Sequence, residues 1–218
     1  MILFEDNHLL FVNKRAGLLT QPTEASTTSL EEEIKAYLKT REQKQGNVFL
    51  HAIHRLDRPA SGVVLFAKTS KALSRLNEAL RNKKIEKYYL AIIEGIMSSE
   101  KDTLIHYLTH DDHVAKIVPK QHPEAKLCEL RYEVLQHNYE KSLLGIELKT
   151  GRYHQIRAQL AATGHPILGD KKYGSTTLFP EQAICLHHAR MTVPHPITQE
   201  LLVVEAPMPL FWQVPKWR

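Results

Sequence analysis

Short apolar runs, separated by polar residues and glycines, recur along the chain and predict a sheet of many strands. The first two runs, Ile2 to Glu5 and His8 to Val12, lie on either side of Asp6-Asn7 and are typical of a hairpin. The run GVVLFA, Gly62 to Ala67, predicts a short buried strand. The other predicted strands are Lys87 to Ile93, Leu127 to Leu135, Leu143 to Leu148, Ala183 to Val193 and Leu201 to Val204.

Two segments have apolar residues at helical spacing behind a helix-starting signal. Ser29 and Glu32 have the spacing of a capping box, which predicts that a helix begins there. A second helix is predicted from about Ser70. The apolar stripes of these helices are Leu30, Ile34 and Leu38 in the first, and Leu73, Leu76 and Leu80 in the second.

A third helix is predicted from roughly Arg152 to Thr163, because Gly164 is the residue type that favours a left-handed C-cap. Its register creates two neighbouring stripes. The first is expected to anchor in the core, and the second to turn His154 and Arg157 toward a cleft. A surface position for Arg157 is the alternative interpretation. The stripes are Tyr153, Ile156 and Leu160, and His154, Arg157 and Ala161.

Many strands with three irregularly placed helices predict an α+β fold on a mixed, mostly antiparallel sheet. The chain has 218 residues and contains neither an internal repeat nor a Gly/Ser-rich linker. We therefore expect residues 1–218 to form a single domain flanked by helices.

The amino terminus and the cysteines indicate a cytoplasmic protein. The chain starts Met1-Ile2-Leu3-Phe4-Glu5-Asp6, without the basic segment or cleavage site of a signal peptide. It contains no run of about 18 apolar residues, so no membrane span is predicted. Cys128 and Cys185 are far apart, form no Cys-x-x-Cys pair, and are expected to be buried thiols.

The formal charge of +5 and the pI near 9.1 favour a polyanionic partner. From charge alone, a plain solvated surface is the favoured interpretation. The basic residues are clustered in two stretches, Arg75, Arg81, Lys83, Lys84 and Lys87, and Lys149, Arg152, Arg157, Lys171 and Lys172.

Common cofactor and metal motifs are missing from the sequence. It has no phosphate-binding loop, dinucleotide fingerprint or zincin helix. The 13 histidines include the pairs His51/His54 and His187/His188, but neither pair has a carboxylate or thiolate partner at usable spacing. We expect no metal and no organic cofactor.

A dense polar segment, His54-Arg55-Leu56-Asp57-Arg58, precedes the buried GVVLFA strand. Asp57 is expected to be partly desolvated there and to stay ionised between its two arginines. Such a carboxylate can serve as a nucleophile or a base. The alternative is that Asp57 pairs with an arginine only to hold a loop in place, and composition alone favours this structural role.

Several motifs in order resemble the RluA-type RNA pseudouridine synthases. They extend over nearly the whole chain and include the opening stretch ILFEDNHLLFVNKRAG and the closing LHHA followed by His195-Pro196. The motifs between them are HRLD with SG and an apolar strand, then KYYLA, TGRYHQIR and GHPILGDKKYG.

The resemblance implies a pseudouridine synthase fold with a central active-site cleft and assigns roles to five residues. Asp57 corresponds to the catalytic aspartate, and Arg55 to the residue that enters the RNA stack when the target base leaves. Tyr89 resembles the tyrosine that stacks on the flipped uracil. Arg157 resembles the basic partner of the aspartate, and Leu186 a wall of the pocket.

The resemblance also implies an activity: isomerisation of specific uridines in rRNA or tRNA without a cofactor. Arg15, Pro59-Ala60 and Tyr153 depart from the family pattern and bear on the choice of substrate. The chain starts at the first catalytic strand, so we expect no S4 module and direct binding of an RNA stem-loop by the catalytic domain. We also expect a monomer. A non-catalytic RNA-binding protein and a metal-dependent RNA hydrolase are the alternatives.

Overall fold

The computed structural model describes residues 1–111, 113–180 and 182–212. The strands in these ranges are β1 (Ile2–Glu5), β2 (Leu9–Lys14), β3 (His51–Ala52), β4 (Ser61–Ala67), β5 (Glu86–Glu94), β6 (Lys101–Asp111), β7 (Val114–Ile117), β8 (Lys126–His137), β9 (Lys141–Leu148), β10 (Leu186–Pro194) and β11 (Leu201–Glu205). The helices are α1 (Leu30–Arg41), α2 (Ser70–Arg81) and α3 (Gln155–Ala162), and Lys171–Tyr173 forms a 3₁₀ turn. The predicted α+β class is confirmed.

The chain packs into two compact units. Unit 1 comprises Met1–Ile85 and His188–Pro207, and unit 2 comprises Glu86–His187 and residues 208–212. Strand β10 therefore begins in unit 2 and continues in unit 1. The interpretation of residues 1–218 as a single domain stays a prediction.

The sheet of unit 1 is built around β4, whose seven residues are all buried. Its strand order is β1-β2-β4-β10, with β3 added to β4 and β11 to β10. Strands β2 and β4 pair antiparallel from Leu9 opposite Ala67 to Lys14 opposite Gly62. Leu76 of α2 is fully buried in a cluster with residues of β2 and β4, so this helix covers one face of the sheet.

Both helices of unit 1 begin as the sequence predicts, because a side-chain oxygen at each N-cap accepts a hydrogen bond from a backbone amide of the first turn. Ser29 Oγ accepts from the Glu32 amide at 3.3 Å. Thr69 Oγ1 accepts from the Ala72 amide at 3.2 Å. Three glutamates in the first turn of α1 further favour its amino terminus, where the helix dipole is positive.

Unit 2 contains an antiparallel sheet in the order β5-β9-β8-β6-β7. Helix α3 packs on it through Ala158, which lies in a buried cluster with Leu108 and Cys128, and Ile156 and Leu160 of the helix are buried as well. Gln159 adds a polar contact, since its Nε2 donates to the carbonyl oxygen of Leu104 in β6 at 3.0 Å. Cys128 of β8 is fully buried, and burial raises the pKa of its thiol to about 11. Cys185 is also fully buried, so both cysteines are buried thiols, as predicted.

Helix α3 differs from its prediction at the start. It begins at Gln155 rather than Arg152, because His154 has a left-handed backbone with φ of 49°. The Gln155 side chain caps the preceding segment by accepting from the Arg152 amide at 3.0 Å. Tyr153 is consequently outside the helix and 41% exposed, so its assignment to the core stripe is wrong. At the other end Gly164 has φ of +84°, which confirms the predicted C-cap.

Two other differences concern strands. Strands β6 and β7 have no individual counterpart in the sequence prediction, and β10 begins at Leu186 rather than Ala183. β6 was not predicted because its sequence, KDTLIHYLTHD, contains charged residues at both ends and buries only Leu104 and Leu108. In the described ranges no helix is both long enough and apolar enough to cross a membrane.

Gly62 is required by a close approach of two strands. Its φ is +116°, and a Cβ placed there would lie 2.7 Å from the carbonyl carbon of His188. Gly62→Ala is therefore expected to lower the free energy of unfolding by about 3 kcal/mol or more, measured by urea denaturation. Gly46→Ala is the matched control, because no atom lies within 4 Å of a Cβ there. Equal stability of the two variants would contradict this packing.

Candidate active site

The predicted site residues are divided between the two units. Arg55 and Asp57 lie in unit 1, in the loop between β3 and β4. Tyr89 and Arg157 lie in unit 2, on β5 and α3. Leu186, also in unit 2, is the first residue of β10.

The loop that carries Asp57 is anchored by a buried residue between two accessible ones. Leu56 is 7% exposed, whereas Asp57 is half-buried and Arg55 is exposed. Asp57 also opens a turn, since the Ala60 amide donates to the Asp57 carbonyl oxygen at 3.0 Å. The half-buried position agrees with the expectation that this carboxylate is partly desolvated.

A second loop, between β2 and α1, fixes the backbone on both sides of Asp57. The hydroxyl of Thr20 donates to the Leu56 carbonyl oxygen and accepts from the Leu56 amide, both at 3.1 Å. On the other side, the Gly17 amide donates to the Arg58 carbonyl oxygen at 2.8 Å. Arg58 Nε returns a bond to the Gly17 carbonyl oxygen at 2.9 Å. Residues 56 and 58 are thus held by direct hydrogen bonds.

Lys14, at the end of β2, donates hydrogen bonds to both loops from the protein interior. Its side chain is fully buried, and Nζ donates to the carbonyl oxygens of Leu18 at 2.7 Å and of Arg58 at 3.2 Å. A third acceptor is the Arg15 carbonyl oxygen at 3.2 Å. Burial lowers the pKa of Lys14 to about 7, while the nearby Asp57 carboxylate acts in the opposite direction. Lys14 therefore places a titratable positive charge beside the predicted catalytic group.

The sequence analysis missed Lys14 and Thr20. A signal for Lys14 was present, because a lysine ends the mostly apolar strand LLFVNK, and a charged residue buried in such a strand needs internal partners. Thr20 had no comparable signal, since its partner Leu56 is 36 residues away in the chain.

One histidine from each of the HRLD and LHHA motifs, His54 and His188, bonds the backbone of β4. His54 Nε2 accepts from the Leu65 amide at 3.3 Å. His188 Nδ1 lies 2.7 Å from the Val63 carbonyl oxygen and must carry the proton of that bond. The two rings meet edge to face, with centroids 5.3 Å apart. In the part of the chain that the structure describes, no three His, Cys, Asp or Glu side chains are grouped to hold a metal ion.

In unit 2, Arg157 is held by Asp170. Arg157 Nε and Nη2 bond the two carboxylate oxygens at 2.6 and 2.8 Å, and both side chains are buried. The guanidinium carbon also lies 5.0 Å from the ring centre of Tyr173. The bidentate pair fixes the plane of the guanidinium. This ion pair joins the TGRYHQIR segment to the GHPILGDKKYG segment. The sequence prediction assigns no role to Asp170.

His154 extends this network toward the surface of unit 2. Its Nδ1 lies 3.0 Å from the Tyr173 hydroxyl. Burial, together with the charges of Arg157 and Lys172, lowers the pKa of His154 to about 3. The imidazole is therefore neutral at physiological pH, which excludes it as an acid near neutrality. His154 and Arg157 share Tyr173 as a neighbour, although His154 precedes α3 and does not lie on its face.

The other predicted residues of unit 2 are apolar and buried. Tyr89 is 6% exposed and pairs in register with Ile146 of β9, and Leu186 is 5% exposed. Lys87 precedes Tyr89 by two residues, so both project from the same side of β5. Burial lowers the pKa of Lys87. The KYYLA motif thus places an amino group and an aromatic ring on one side of a strand.

The lowered pKa of Lys14 makes a testable contribution to stability. The unfolded chain binds a proton at Lys14 up to its ordinary pKa of 10.5, whereas the folded protein releases it from about pH 7. The contribution of Lys14 to stability is thus expected to increase between these pH values, by at most about 1.4 kcal/mol per pH unit.

Urea denaturation of wild type and Lys14→Met at pH 7, 8 and 9 measures this effect. The stability difference in favour of wild type should grow with pH. Lys39→Met, at an exposed position of α1, is the control and should give a difference independent of pH. A Lys14 difference that is flat or falls with pH would show that Lys14 remains charged in the folded protein.

The sequence of this chain is similar to those of known proteins. The family model of RNA pseudouridylate synthases matches residues 8–162. An uncharacterized RNA pseudouridine synthase of Bacillus subtilis, YhcT, is 38% identical over 213 residues, which are 95% of this chain and 68% of that protein. Ribosomal large subunit pseudouridine synthase C of Vibrio cholerae is 33% identical, over 95% of this chain and 65% of that protein.

Among solved structures, the human RNA pseudouridylate synthase domain containing 4 has a similar fold. It superposes with a TM-score of 0.80 at 22% identity, covering 96% of this chain and 89% of that one. The predicted RluA-type resemblance is confirmed by the sequence matches, and this chain spans about two thirds of the relatives' length. The chain belongs to the RNA pseudouridylate synthase family, whose members isomerise uridine to pseudouridine in RNA.

Proposed function

We propose that this chain isomerises specific uridines of rRNA or tRNA, with Asp57 as the catalytic group and with extrusion of the target base from its stack. The proposal rests on the loop that contains the HRLD motif, which hydrogen bonds hold in a fixed position. Its residues 56 and 58 are bonded to a neighbouring loop, and the carboxylate between them is half-buried near the amino group of Lys14.

The reaction suits a chain without a cofactor motif. The C1′–N1 bond breaks, the uracil turns, and a bond forms between C1′ and C5. The C5 hydrogen leaves as a proton, and N1 takes up a proton. No redox change or phosphoryl transfer takes place. Asp57 acts either as the nucleophile at C1′ or as the base that removes the C2′ proton to give a glycal. A carboxylate on a fixed loop fits both routes, because each needs it at one defined distance from the ribose.

Extrusion of the base is assigned to Arg55. A base leaving the stack loses a few kcal/mol of stacking, which another flat group can partly restore. Arg55 is exposed and lies one residue from the buried anchor Leu56. The guanidinium thus projects from a fixed backbone and has the planar shape needed to fill the vacated position.

The roles of Tyr89, Arg157 and Leu186 are proposed by resemblance. Tyr89 stacks on the extruded uracil, Leu186 lines its pocket, and Arg157 is the basic partner of Asp57. Burial of Tyr89 and Leu186 supports an apolar pocket for an uncharged base. Asp170 supports the role of Arg157, since it sets the orientation of the guanidinium through two bonds.

The Vibrio cholerae relative is named for the large ribosomal subunit, so large-subunit rRNA is the first substrate to examine. A tRNA stem-loop is the second. The basic composition supports RNA in general without favouring either one. A monomeric state and a cytoplasmic location stay predictions.

Replacement of the carboxylate tests the catalytic assignment. Asp57→Asn keeps the shape of the side chain but removes the nucleophile or base, so pseudouridine formation should fall by at least about a thousandfold. RNA affinity and the unfolding transition should remain close to those of wild type. Asp111→Asn is the control, because Asp111 pairs with Lys116 at an exposed site. Activity of Asp57→Asn within about tenfold of wild type would remove Asp57 from this role.

Replacement of Arg55 separates extrusion from binding. Arg55→Ala should reduce turnover more than affinity, since the group that fills the stack is lost. A substrate whose target uridine is already unstacked should restore most of the turnover. Lys84→Ala, at an exposed position, is the comparison and should weaken binding of both RNAs equally. If Arg55→Ala behaves like Lys84→Ala on both substrates, Arg55 is a phosphate contact instead.

A further inference from the structure

Tyr153 is an exposed aromatic residue whose ring is held in one orientation. It is 41% exposed, although the sequence pattern placed it in the core. The ring stacks on the imidazole of His154, with centroids 3.9 Å apart and planes inclined by 18°. The left-handed backbone of His154 brings the two consecutive rings together. Tyr153 is thus presented to solvent as the outer member of an aromatic pair.

The hairpin of β6 and β7 fixes the edge of the ring. The Tyr153 hydroxyl donates to the carbonyl oxygen of His113, in the hairpin turn, at 3.3 Å. The His110 ring packs edge-on at a centroid distance of 5.7 Å. Strand β7 is itself held in place, since the Ala115 amide donates to the Tyr173 hydroxyl at 2.8 Å. A ring held on one face and along its edge loses little conformational freedom when a ligand stacks on it.

The surroundings of Tyr153 carry positive charge. Arg152 directly precedes Tyr153 and is exposed, and Lys171 is exposed in the 3₁₀ turn that also contains Tyr173. Lys172 lies at the same hairpin turn, where its Nζ donates to the His113 carbonyl oxygen at 3.3 Å. The carboxylate of Asp111, at the end of β6, is paired with Lys116 at 3.1 Å. An exposed flat ring between basic side chains is the combination that proteins use for unpaired nucleotides.

We propose that Tyr153 is a stacking site for an unpaired base of the RNA substrate, other than the uridine that is isomerised. The base lies on the exposed part of the ring, and Arg152, Lys171 and Lys172 contact the flanking phosphates. Tyr153 thereby contributes to the choice of RNA. The inference deepens the proposed function, because it assigns a second contact to the same RNA substrate.

Binding of unpaired RNA tests this site on the full-length chain. The probe is a fluorescein-labelled single-stranded RNA of about 12 nucleotides and mixed sequence, whose Kd is measured by anisotropy at several KCl concentrations. Tyr153→Leu should raise Kd at least about fivefold, with no change in the slope of log Kd against log salt. Tyr153→Phe keeps the ring and should bind within about twofold of wild type.

Two matched variants show what each outcome means. Tyr139→Leu removes a tyrosine that is 94% exposed in another turn of unit 2, and should bind like wild type. Lys172→Gln should weaken binding and reduce the salt slope by about 0.7, the value for one phosphate contact on a single strand. Binding by Tyr153→Leu within about twofold of wild type overturns the proposal. An equal loss in Tyr153→Phe, or in Tyr139→Leu, also overturns it.

Thermal unfolding of each variant shows whether the fold survives. If Tyr153→Leu is unfolded at the assay temperature, Tyr153→Trp decides, because a larger ring should bind at least as tightly as tyrosine. Fivefold weaker binding by a folded Tyr153→Trp would overturn the stacking site. Pseudouridine formation by wild type is measured in parallel. Its absence with every RNA would overturn the proposed function, while anisotropy would still report on Tyr153.

Discussion

The buried amino group of Lys14 connects the end of a core strand to the loop that carries Asp57. Because the side chain is fully buried, its amino group must find acceptors inside the protein. It finds them in three backbone carbonyl oxygens, one of which belongs to Arg58. The same carbonyl accepts from the Gly17 amide, so one atom of the Asp57 loop is held from two directions. The position of the predicted catalytic carboxylate therefore depends on the register of β2 against β4, which places Lys14 opposite Gly62.

A similar constraint in unit 2 explains why two distant motifs occur together. Arg157 is buried on α3, and a buried guanidinium needs an ionic partner. Asp170 supplies one, and the adjacent 3₁₀ turn brings Tyr173 against both Arg157 and His154. The aromatic contacts then continue to Tyr153 at the surface. Arg157, to which the resemblance assigns a role, and Tyr153, which departs from the family pattern, thus belong to one packed network.

Local signals made much of the fold predictable from sequence. The caps at Ser29 and Thr69 and the apolar periodicity of α2 depend on neighbouring residues, and the sequence prediction placed both helices correctly. The predicted start of α3 was wrong because the left-handed backbone of His154 sets the amino-terminal end of the helix there, although the helical spacing of apolar residues continues to Tyr153.

In the candidate site, only the residues that the family motifs name were predictable from the sequence. They name Asp57 and Arg157 but not the bonds that hold them. Lys14 Nζ bonds the carbonyl oxygen of Arg58, which is 44 residues away in the chain. Arg157 bonds the carboxylate of Asp170, a residue to which the motifs assign no role. Contacts of this kind are set by tertiary packing, which hydrophobic periodicity does not encode.

Conversion of uridine to pseudouridine replaces the C5 hydrogen by the bond to ribose, so the fate of that hydrogen reports directly on the proposed activity. The measurement is tritium release from large-subunit rRNA and tRNA transcripts that carry tritium at C5 of uridine, with purified wild-type protein in EDTA. Release to water in proportion to the pseudouridine recovered from the RNA is the predicted result. No release from either class of RNA by the folded protein would contradict it.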